Sequence, residues 1–283
     1  MYGLINGLLP FNCTNNRRYP YRFVVNLYAK VGLHRYNMLE GTSFKHSALM
    51  KFNMVGGFMS SFYMTLLAHN PDPAASTLQK TFQVRVDEGT FGSLDITCSI
   101  ARPKDEVTTK TPFIPHFHGG TAADGIFKGE LPDWPSDDAF NDGKRFYMVK
   151  ESEWQATDWI HMYLELVIAS HCRSADYLSS VLSQLEIVKV AIETAIEDVE
   201  SPKERLNAKI AHVYIKFKGL AEPQVPRQVF EIGEHVERKA IVRRVISKHT
   251  GYLTLMGKLC GGTLKHPRVE IETESCKKRP CLG

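Results

Sequence analysis

The feature that most limits the fold of this sequence is a two-residue alternation of apolar and polar side chains. Apolar residues occupy every second position over 62–66, 82–86 and 94–98, and glycines or an Asn-Pro pair separate these stretches. Neighbouring side chains of a β-strand point to opposite faces of the sheet. The alternation therefore predicts antiparallel strands with one buried face.

A helical pattern precedes these strands, because apolar residues from Phe23 to Val31 recur at steps of three and four. We predict that this helix begins near Pro20 and ends near Gly32. A helix followed by antiparallel strands is typical of the α+β class. The sequence therefore predicts an α+β protein.

The second half of the chain repeats this mixture. We predict a helix or helical turn over 151–160 and strands over 162–169 and 210–218. The segment 185–196 fits both a helix face and a strand. A strand is favoured there, because its apolar residues alternate with charged ones.

Changes in composition divide the chain into five segments. They are a loop-rich lead (1–20), an α+β unit (21–104), a connecting loop rich in Pro, Gly and Asp (105–150), a second α+β unit (151–262) and a polar basic tail (263–283). The long connecting loop is typical of a linker or a functional loop.

A short internal echo favours a duplication. Arg85-Val86, five residues and then 92–96 match Arg244-Val245, five residues and then 251–255. Two copies of one α+β unit explain this echo. The general similarity of β-hairpins explains it as well.

The composition is that of a soluble globular protein. The chain has 283 residues, 43% of them hydrophobic, and a net charge of +4. These values argue against a disordered chain and against a strongly basic nucleic-acid binder. No apolar run reaches the ~20 residues that span a bilayer, so we expect no membrane span.

The cysteines and the termini predict an intracellular protein. The first four of the six cysteines are widely spaced, Cys276 and Cys281 lie close together in the polar tail, and no CxxC pair is present, which is typical of reduced thiols. The apolar N-terminal stretch lacks a basic region, so no cleaved signal peptide is expected. We predict the nucleus or the cytoplasm, and the basic string 277–280 favours the nucleus.

His116 and His118 are the most suggestive pair for catalysis. Two histidines at i and i+2 of a strand can share a metal ion, and the following glycines resemble an oxyanion-hole segment. However, no third ligand follows at a familiar spacing and no G-x-S-x-G motif is present. A metal-dependent enzyme therefore stays an alternative, and we predict no catalytic residue, no metal and no cofactor.

A basic cluster follows in the second half, at residues 238, 239, 243 and 244. A nucleic-acid groove would combine such residues with exposed aromatic side chains, which are missing nearby. We predict that this cluster lies on a solvated face of the sheet. Nucleic acid is not expected as a direct ligand.

Several strings together resemble a known plant family. They are GLHRYNMLEGT (32–42), FQVRVDE (82–88), LDITCSIARPK (94–104), PHFHGGTAADGIFKGELPDWPSDD (115–138), KESEWQATDW (150–159) and ERKAIVRRV (237–245). The chain resembles the crucifer male-sterility-five family of uncharacterised, cystatin-related plant proteins. The match spans roughly residues 20–260 in order.

This resemblance implies a cystatin-like fold, a helix packed on an antiparallel β-sheet, present once or as two units in tandem. It implies no known catalytic activity. It links the chain to plant fertility, meiosis and reproductive development.

The cystatin relationship raises a second function, inhibition of cysteine proteases. Such inhibitors use a Q-x-V-x-G hairpin, and the nearest string here runs from Gln83 to Asp87. Arg85 stands where the motif has Val, and Asp87 where it has Gly. The inhibitory motif is therefore absent, and inhibition stays an alternative.

We predict a non-catalytic scaffold that binds other proteins without a small-molecule cofactor. The connecting loop and its neighbouring tryptophans are the expected interaction surface, because function is often carried on loops and aromatic anchors dominate binding energy. The residues are His116, His118, Trp134, Trp154 and Trp159.

Overall fold

The protein is described by a computed structural model. It describes residues 7–14, 19–56, 59–71, 79–106, 127–171, 182–194, 201–219 and 237–260. These residues form a mixed α+β fold around a ten-stranded antiparallel sheet. The prediction of an α+β protein built on antiparallel strands is confirmed.

Ten strands and four α-helices are found in these ranges. The strands are β1 (Leu8–Asn12), β2 (Lys45–Val55), β3 (Ser61–His69), β4 (Lys80–Glu88), β5 (Leu94–Pro103), β6 (Phe146–Val149), β7 (Glu186–Glu193), β8 (Ile210–Lys218), β9 (Arg238–Ile246) and β10 (Leu253–Cys260). The helices are α1 (Arg22–Glu40), α2 (Glu151–Ala156), α3 (Asp158–His171) and α4 (Pro202–Leu206), and a 3-10 turn spans Asp138–Asn141.

The sheet is built from two halves that meet at their last strands. Its order is β1-β2-β3-β4-β5-β10-β9-β8-β7-β6. The hairpins that carry the internal echo, β4–β5 and β9–β10, lie side by side, and Ile96 pairs with its echo counterpart Leu255. The echo does not extend to the arginines. Arg85 and Arg244 lie on opposite faces of the sheet. Arg244 packs on Trp159 of α3, whereas Arg85 packs on Tyr63 on the other face.

Both long helices pack on one face of the sheet. α1 contacts β2, β4 and β5, and α3 contacts β9 and β10 as well as α1. Apolar residues at alternate strand positions, such as Phe62, Val84, Leu255 and Val213, form the main core beneath them. This packing follows from the two-residue period of the strands.

The opposite face of the second half is also covered. The segment 127–145 lies there, and Trp134 and Phe140 pack on Tyr214 and Ile241. Tyr214 and Ile241 alternate along β8 and β9 with residues of the main core. The strands of this half are therefore buried on both faces.

The predicted end of the first helix was wrong. Gly32 lies inside α1 and packs against Val84, and the helix continues to Glu40. Gly41 ends it in the left-handed conformation, with φ of 65°. A glycine often marks the end of a helix, but Gly32 is needed inside α1 because a Cβ at this position would overlap Val84 of the sheet.

The predicted strand at 162–169 was also wrong, because this run belongs to α3. Seven of its eight residues are buried, all except Glu165. α3 packs against both the sheet and α1, so little of its surface stays polar. A continuous apolar run of this kind fits either a buried strand or a buried helix.

Two other assignments in the second half are confirmed. The segment 185–196 contains the strand β7, and 210–218 is the strand β8. The solvated basic face predicted for 238–244 was wrong, since Arg238, Arg243 and Arg244 are at most 5% exposed. Among the residues described, no helix is long and apolar enough to cross a membrane.

Candidate functional site

An open groove lies between α1, α3 and the start of β2. Its cavity volume is about 970 Å³, large for a small-ligand pocket. One face of α1 lines it, at steps of three and four residues, with Lys30, Leu33, His34, Asn37, Met38 and Gly41. The facing wall is Asp158, Trp159, His161, Met162 and Glu165 of α3.

An aromatic stack joins the two helices at the groove. The rings of His34 and Trp159 are stacked, with centroids 5.8 Å apart. Nε2 of His34 lies 2.8 Å from the hydroxyl of Tyr163. Burial, together with the smaller effect of the Arg244 charge, lowers the pKa of His34 to about 3. His34 is therefore a neutral, fixed part of the wall.

A buried arginine lies behind this stack. The side chain of Arg244 is 0% exposed, and its guanidinium carbon is 4.6 Å from the ring centroid of Trp159. Its Nη2 donates to the carbonyl of Leu206 over 3.1 Å. Its Nε and Nη1 meet no acceptor in the part of the chain that the structure describes.

Three further titratable side chains of the groove, His46, His161 and Glu165, have pKa values shifted towards the neutral form. Burial lowers the pKa of His46 to about 4, and its Nε2 is enclosed without a hydrogen-bond partner among the described residues. Burial also lowers the pKa of His161 and raises that of Glu165. A general acid or base works best with a pKa near the operating pH. Burial thus moves the pKa values of His46 and His161 away from the operating pH, whereas it moves that of Glu165 towards it.

The rim of the groove carries charge. Nζ of Lys45 lies 3.0 Å from a carboxylate oxygen of Asp158, which ties the start of β2 to the start of α3. Both side chains are at least half exposed. Such a pair contributes about 0–1 kcal/mol and does not close the groove.

The predicted interaction surface is divided by the sheet. Trp159 lines the groove, and Trp154 packs nearby, its ring 5.9 Å from that of His161. Trp134 lies on the opposite face of the sheet, against Phe140. The structure thus brings Trp154 and Trp159 to the same side and separates Trp134 from them. His116 and His118 lie outside the described residues.

A buried ionic cluster holds the segment 127–145 to its face of the sheet. Glu193 accepts from Arg145 at 2.5 Å, from Tyr214 at 2.6 Å and from His212 at 3.1 Å. Arg243 donates to the carbonyls of residues 129 and 130 at 2.7 and 2.6 Å. Every charged group of this cluster has a partner, so its role is structural.

Glu193 stays ionised in this cluster. Burial acts to raise its pKa, but the hydrogen bonds from His212, Tyr214 and Arg145 outweigh burial and lower it to about 2. Hydrogen bonds to a charged carboxylate favour its ionised form.

Three other candidates are a metal site, a reactive cysteine and an inhibitory hairpin, and the described residues do not form any of them. In the described ranges, no three His, Cys, Asp or Glu side chains are grouped closely enough to hold a metal ion. Burial raises the pKa of Cys98 to about 12, so its thiol stays protonated. The string from Gln83 to Asp87 lies within β4, where Arg85 pairs with Asp87 at 3.0 Å.

The burial of Arg244 can be predicted from the two-residue period of β9, a signal that the sequence-based prediction of a solvated face did not include. Ala240, Val242, Arg244 and Ile246 occupy alternate positions of β9 and so share one face. Three of the four are apolar, which places the arginine in the buried register. The charges of residues 238–244 indicate a solvated face, whereas their two-residue period indicates that every second side chain is buried in the main core.

The chain is similar to known plant proteins. The family model described as Protein MS5 matches residues 131–255. The chain is 57% identical to the UPF0725 protein At1g23970 of Arabidopsis thaliana, over 100% of this chain and 89% of the relative. It is 56% identical to the UPF0725 protein At1g23950 of the same plant, over 99% and 89%.

A solved structure is similar as well. The crystal structure of MS5 from Brassica napus matches with a TM-score of 0.65 and 32% identity. The match covers 84% of this chain and 97% of that chain. Sequence and fold therefore agree on the same group of plant proteins.

Proposed function

The chain belongs to the MS5 family, and on this premise we propose that it is a non-catalytic scaffold that binds other proteins in plant reproductive development. The groove between α1 and α3 is the proposed binding site. Its relatives are UPF0725 proteins, a description that names no reaction. The link to fertility and meiosis rests on the resemblance to the male-sterility-five family.

The observation that carries this proposal is the groove itself. It combines a rigid aromatic wall, formed by His34 and Trp159, with a volume of about 970 Å³. Aromatic anchors that are already fixed lose little conformational entropy on binding. The groove is open along two helices, so an extended or helical segment of a partner protein fits it better than a small enclosed molecule.

The state of the groove histidines supports binding without catalysis. Burial holds His34 and His46 neutral, with pKa values of about 3 and about 4. Neutral imidazoles serve as fixed hydrogen-bonding groups for a partner. We place this activity inside the cell, in the nucleus or the cytoplasm, as the basic string 277–280 and the cysteine pattern suggest.

We also propose that the fold is a tandem of two cystatin-like units, 21–104 and 151–262, joined by 105–150. The order of elements supports this, since 21–104 runs from α1 to the four strands β2–β5, and 151–262 runs from α2 and α3 to the four strands β7–β10, with the short α4 after β7. A protease site inserted between residues 107 and 126 tests it. Two fragments that refold and reassociate through β5 and β10 are expected, and fragments that cannot reassemble would contradict two units.

Affinity capture from young flower buds tests the binding function. The groove variant combines Lys30→Glu, which reverses a rim charge, with Ser43→Trp, which fills the groove. The matched control combines Lys51→Glu with Ser136→Trp, two exposed positions that do not line the groove. We expect the wild type and the control to capture the same protein, and the groove variant to lose at least about nine tenths of it. Equal capture by both variants would exclude the groove.

A further inference from the structure

We propose that the groove contains an anion site centred on Arg244, which takes an oxyanion of the bound partner, a carboxylate or a phosphate. This inference rests on the proposed function, because it assigns a chemical class to the partner of the same groove. It follows from one buried charge, that of Arg244, for which the described part of the chain supplies no counter-charge.

An unpaired buried guanidinium is costly. Moving a charge out of water costs several kcal/mol unless a partner of opposite charge compensates it. Arg244 is 0% exposed, and no carboxylate in the described ranges pairs with it. Its polar contacts in the described ranges are the backbone carbonyl of Leu206 and the hydroxyl of Tyr163, and neither of them carries a counter-charge.

The neighbouring arginine of the same strand shows what a purely structural arginine looks like here. Arg243 points to the opposite face and donates from Nε, Nη1 and Nη2 to His212 and to two backbone carbonyls. Arg35 likewise donates from Nε to the carbonyl of Gly251 at 2.7 Å. In Arg244, by contrast, Nε and Nη1 have no acceptor among the described residues, so either of them can act with the second N–H of Nη2 to bind a ligand.

The position of Arg244 connects it to the groove. Trp159, which lines the groove, lies over the guanidinium, and Asn207, which also lines it, follows the Leu206 carbonyl that Arg244 binds. Arg244 does not itself line the groove, so the Trp159 ring must move aside before an anion reaches the guanidinium. The indole therefore acts as a cover that is retained by cation–π attraction while no anion is bound.

The chemistry around the guanidinium favours an oxyanion. A planar guanidinium binds carboxylate or phosphate through two parallel hydrogen bonds. Lys30 at the rim adds positive charge, whereas Asp158 is already paired with Lys45. Glu165 also lines the groove, but burial raises its pKa and so opposes its negative charge, which leaves Lys30 and Arg244 to attract a negative group of the partner.

The test uses small anions and the full-length protein, without any partner. Sodium phosphate and sodium acetate are titrated at pH 7 against sodium chloride at equal ionic strength, and the unfolding midpoint and tryptophan fluorescence are recorded. We expect phosphate, acetate or both to raise the midpoint above the chloride series, because a ligand of the folded state stabilises it. The fluorescence should change over the same concentrations, since Trp159 covers the site.

Variants decide whether Arg244 is responsible. Arg244→Met should weaken the response at least tenfold, whereas Arg244→Lys should keep part of it. Arg102→Met is the matched control, because Arg102 binds Gln83 on the first half of the sheet and should leave the response unchanged.

Each outcome decides the proposal. A response to phosphate alone assigns a phosphorylated partner, and a response to acetate assigns an acidic side chain or chain terminus. A wild-type protein that responds no more than in chloride, or an Arg244→Met variant that responds like the wild type, would overturn the anion site. Either result leaves capture through the groove as a separate measurement.

Discussion

Arg243 donates from Nε to Nε2 of His212 across 2.9 Å. A ring nitrogen that accepts a hydrogen bond carries no proton, so His212 is neutral and its proton lies on Nδ1. From there it donates to Glu193 at 3.1 Å. Burial lowers the pKa of His212, although Glu193 opposes this effect. The cluster that holds the segment 127–145 therefore depends on an uncharged histidine.

Stability should fall as the pH drops below the ordinary histidine pKa of 6.5. The folded state holds His212 neutral while the unfolded chain binds a proton, so its contribution is present above pH 6.5 and is lost on acidification. Urea unfolding from pH 8 to pH 5 measures this slope. His212→Gln should reduce the slope without abolishing it, because the pKa values of His34, His46 and His161 are lowered too. An unchanged slope would contradict the neutral His212.

Glu193→Gln should destabilise the protein by roughly 1–3 kcal/mol, because a neutral amide replaces the buried carboxylate that accepts hydrogen bonds from Arg145, Tyr214 and His212. Glu193 is 1% exposed. Denaturant unfolding measures the loss, and hydrogen exchange should increase in 127–145. The control is Asp133→Asn, which removes an exposed partner 3.7 Å from Lys258 and should cost at most about 1 kcal/mol. Equal losses would contradict the special role of Glu193.

Arg244→Met should stabilise the fold by roughly 1–4 kcal/mol, although a buried arginine is removed. Replacing an unpaired buried charge with an apolar side chain of similar length removes a desolvation cost. Arg243→Met, on the same strand but with all its nitrogens bonded, should destabilise instead. Thermal unfolding of the two variants is a direct comparison. A loss of stability in Arg244→Met would show that its charge is compensated in solution.

Gly32→Ala should destabilise the fold by roughly 1–3 kcal/mol, because an added Cβ would overlap both methyl groups of Val84. Alanine favours a helix over glycine by about 1 kcal/mol, so local propensity alone predicts the opposite sign. Gly143→Ala, whose Cβ would meet open space, is the control and should change little. Adding Val84→Ala to Gly32→Ala should recover part of the loss, since the two residues are in contact. Additive losses would contradict the proposed overlap.

Much of the first half could be predicted from local patterns. The alternation at 62–66, 82–86 and 94–98 identified β3, β4 and β5, because each of these strands has one face in the main core. Local patterns failed for α3. That helix is buried between sheet and α1, so its sequence carries no polar stripe by which to tell it from a strand.

The candidate site was only partly predictable. The sequence predicts Trp159 as an aromatic anchor, and this residue lines the groove. His34 was visible in the sequence, but its pairing with Tyr163 joins residues 129 positions apart. Trp134 was placed with Trp159 because both lie near the connecting loop, yet the sheet separates them. Nearness along the chain does not report which face of a sheet a side chain reaches.

The sequence by itself determined the α+β class, most of the strands and the family, because the alternation of apolar residues and the family strings are local properties. Only the tertiary structure decided that the two halves share one sheet through β5 and β10, that α1 and α3 form a groove, and that Arg244 is buried behind Trp159. These features depend on contacts between distant segments. A charge becomes costly, and thereby informative, only when packing removes it from water.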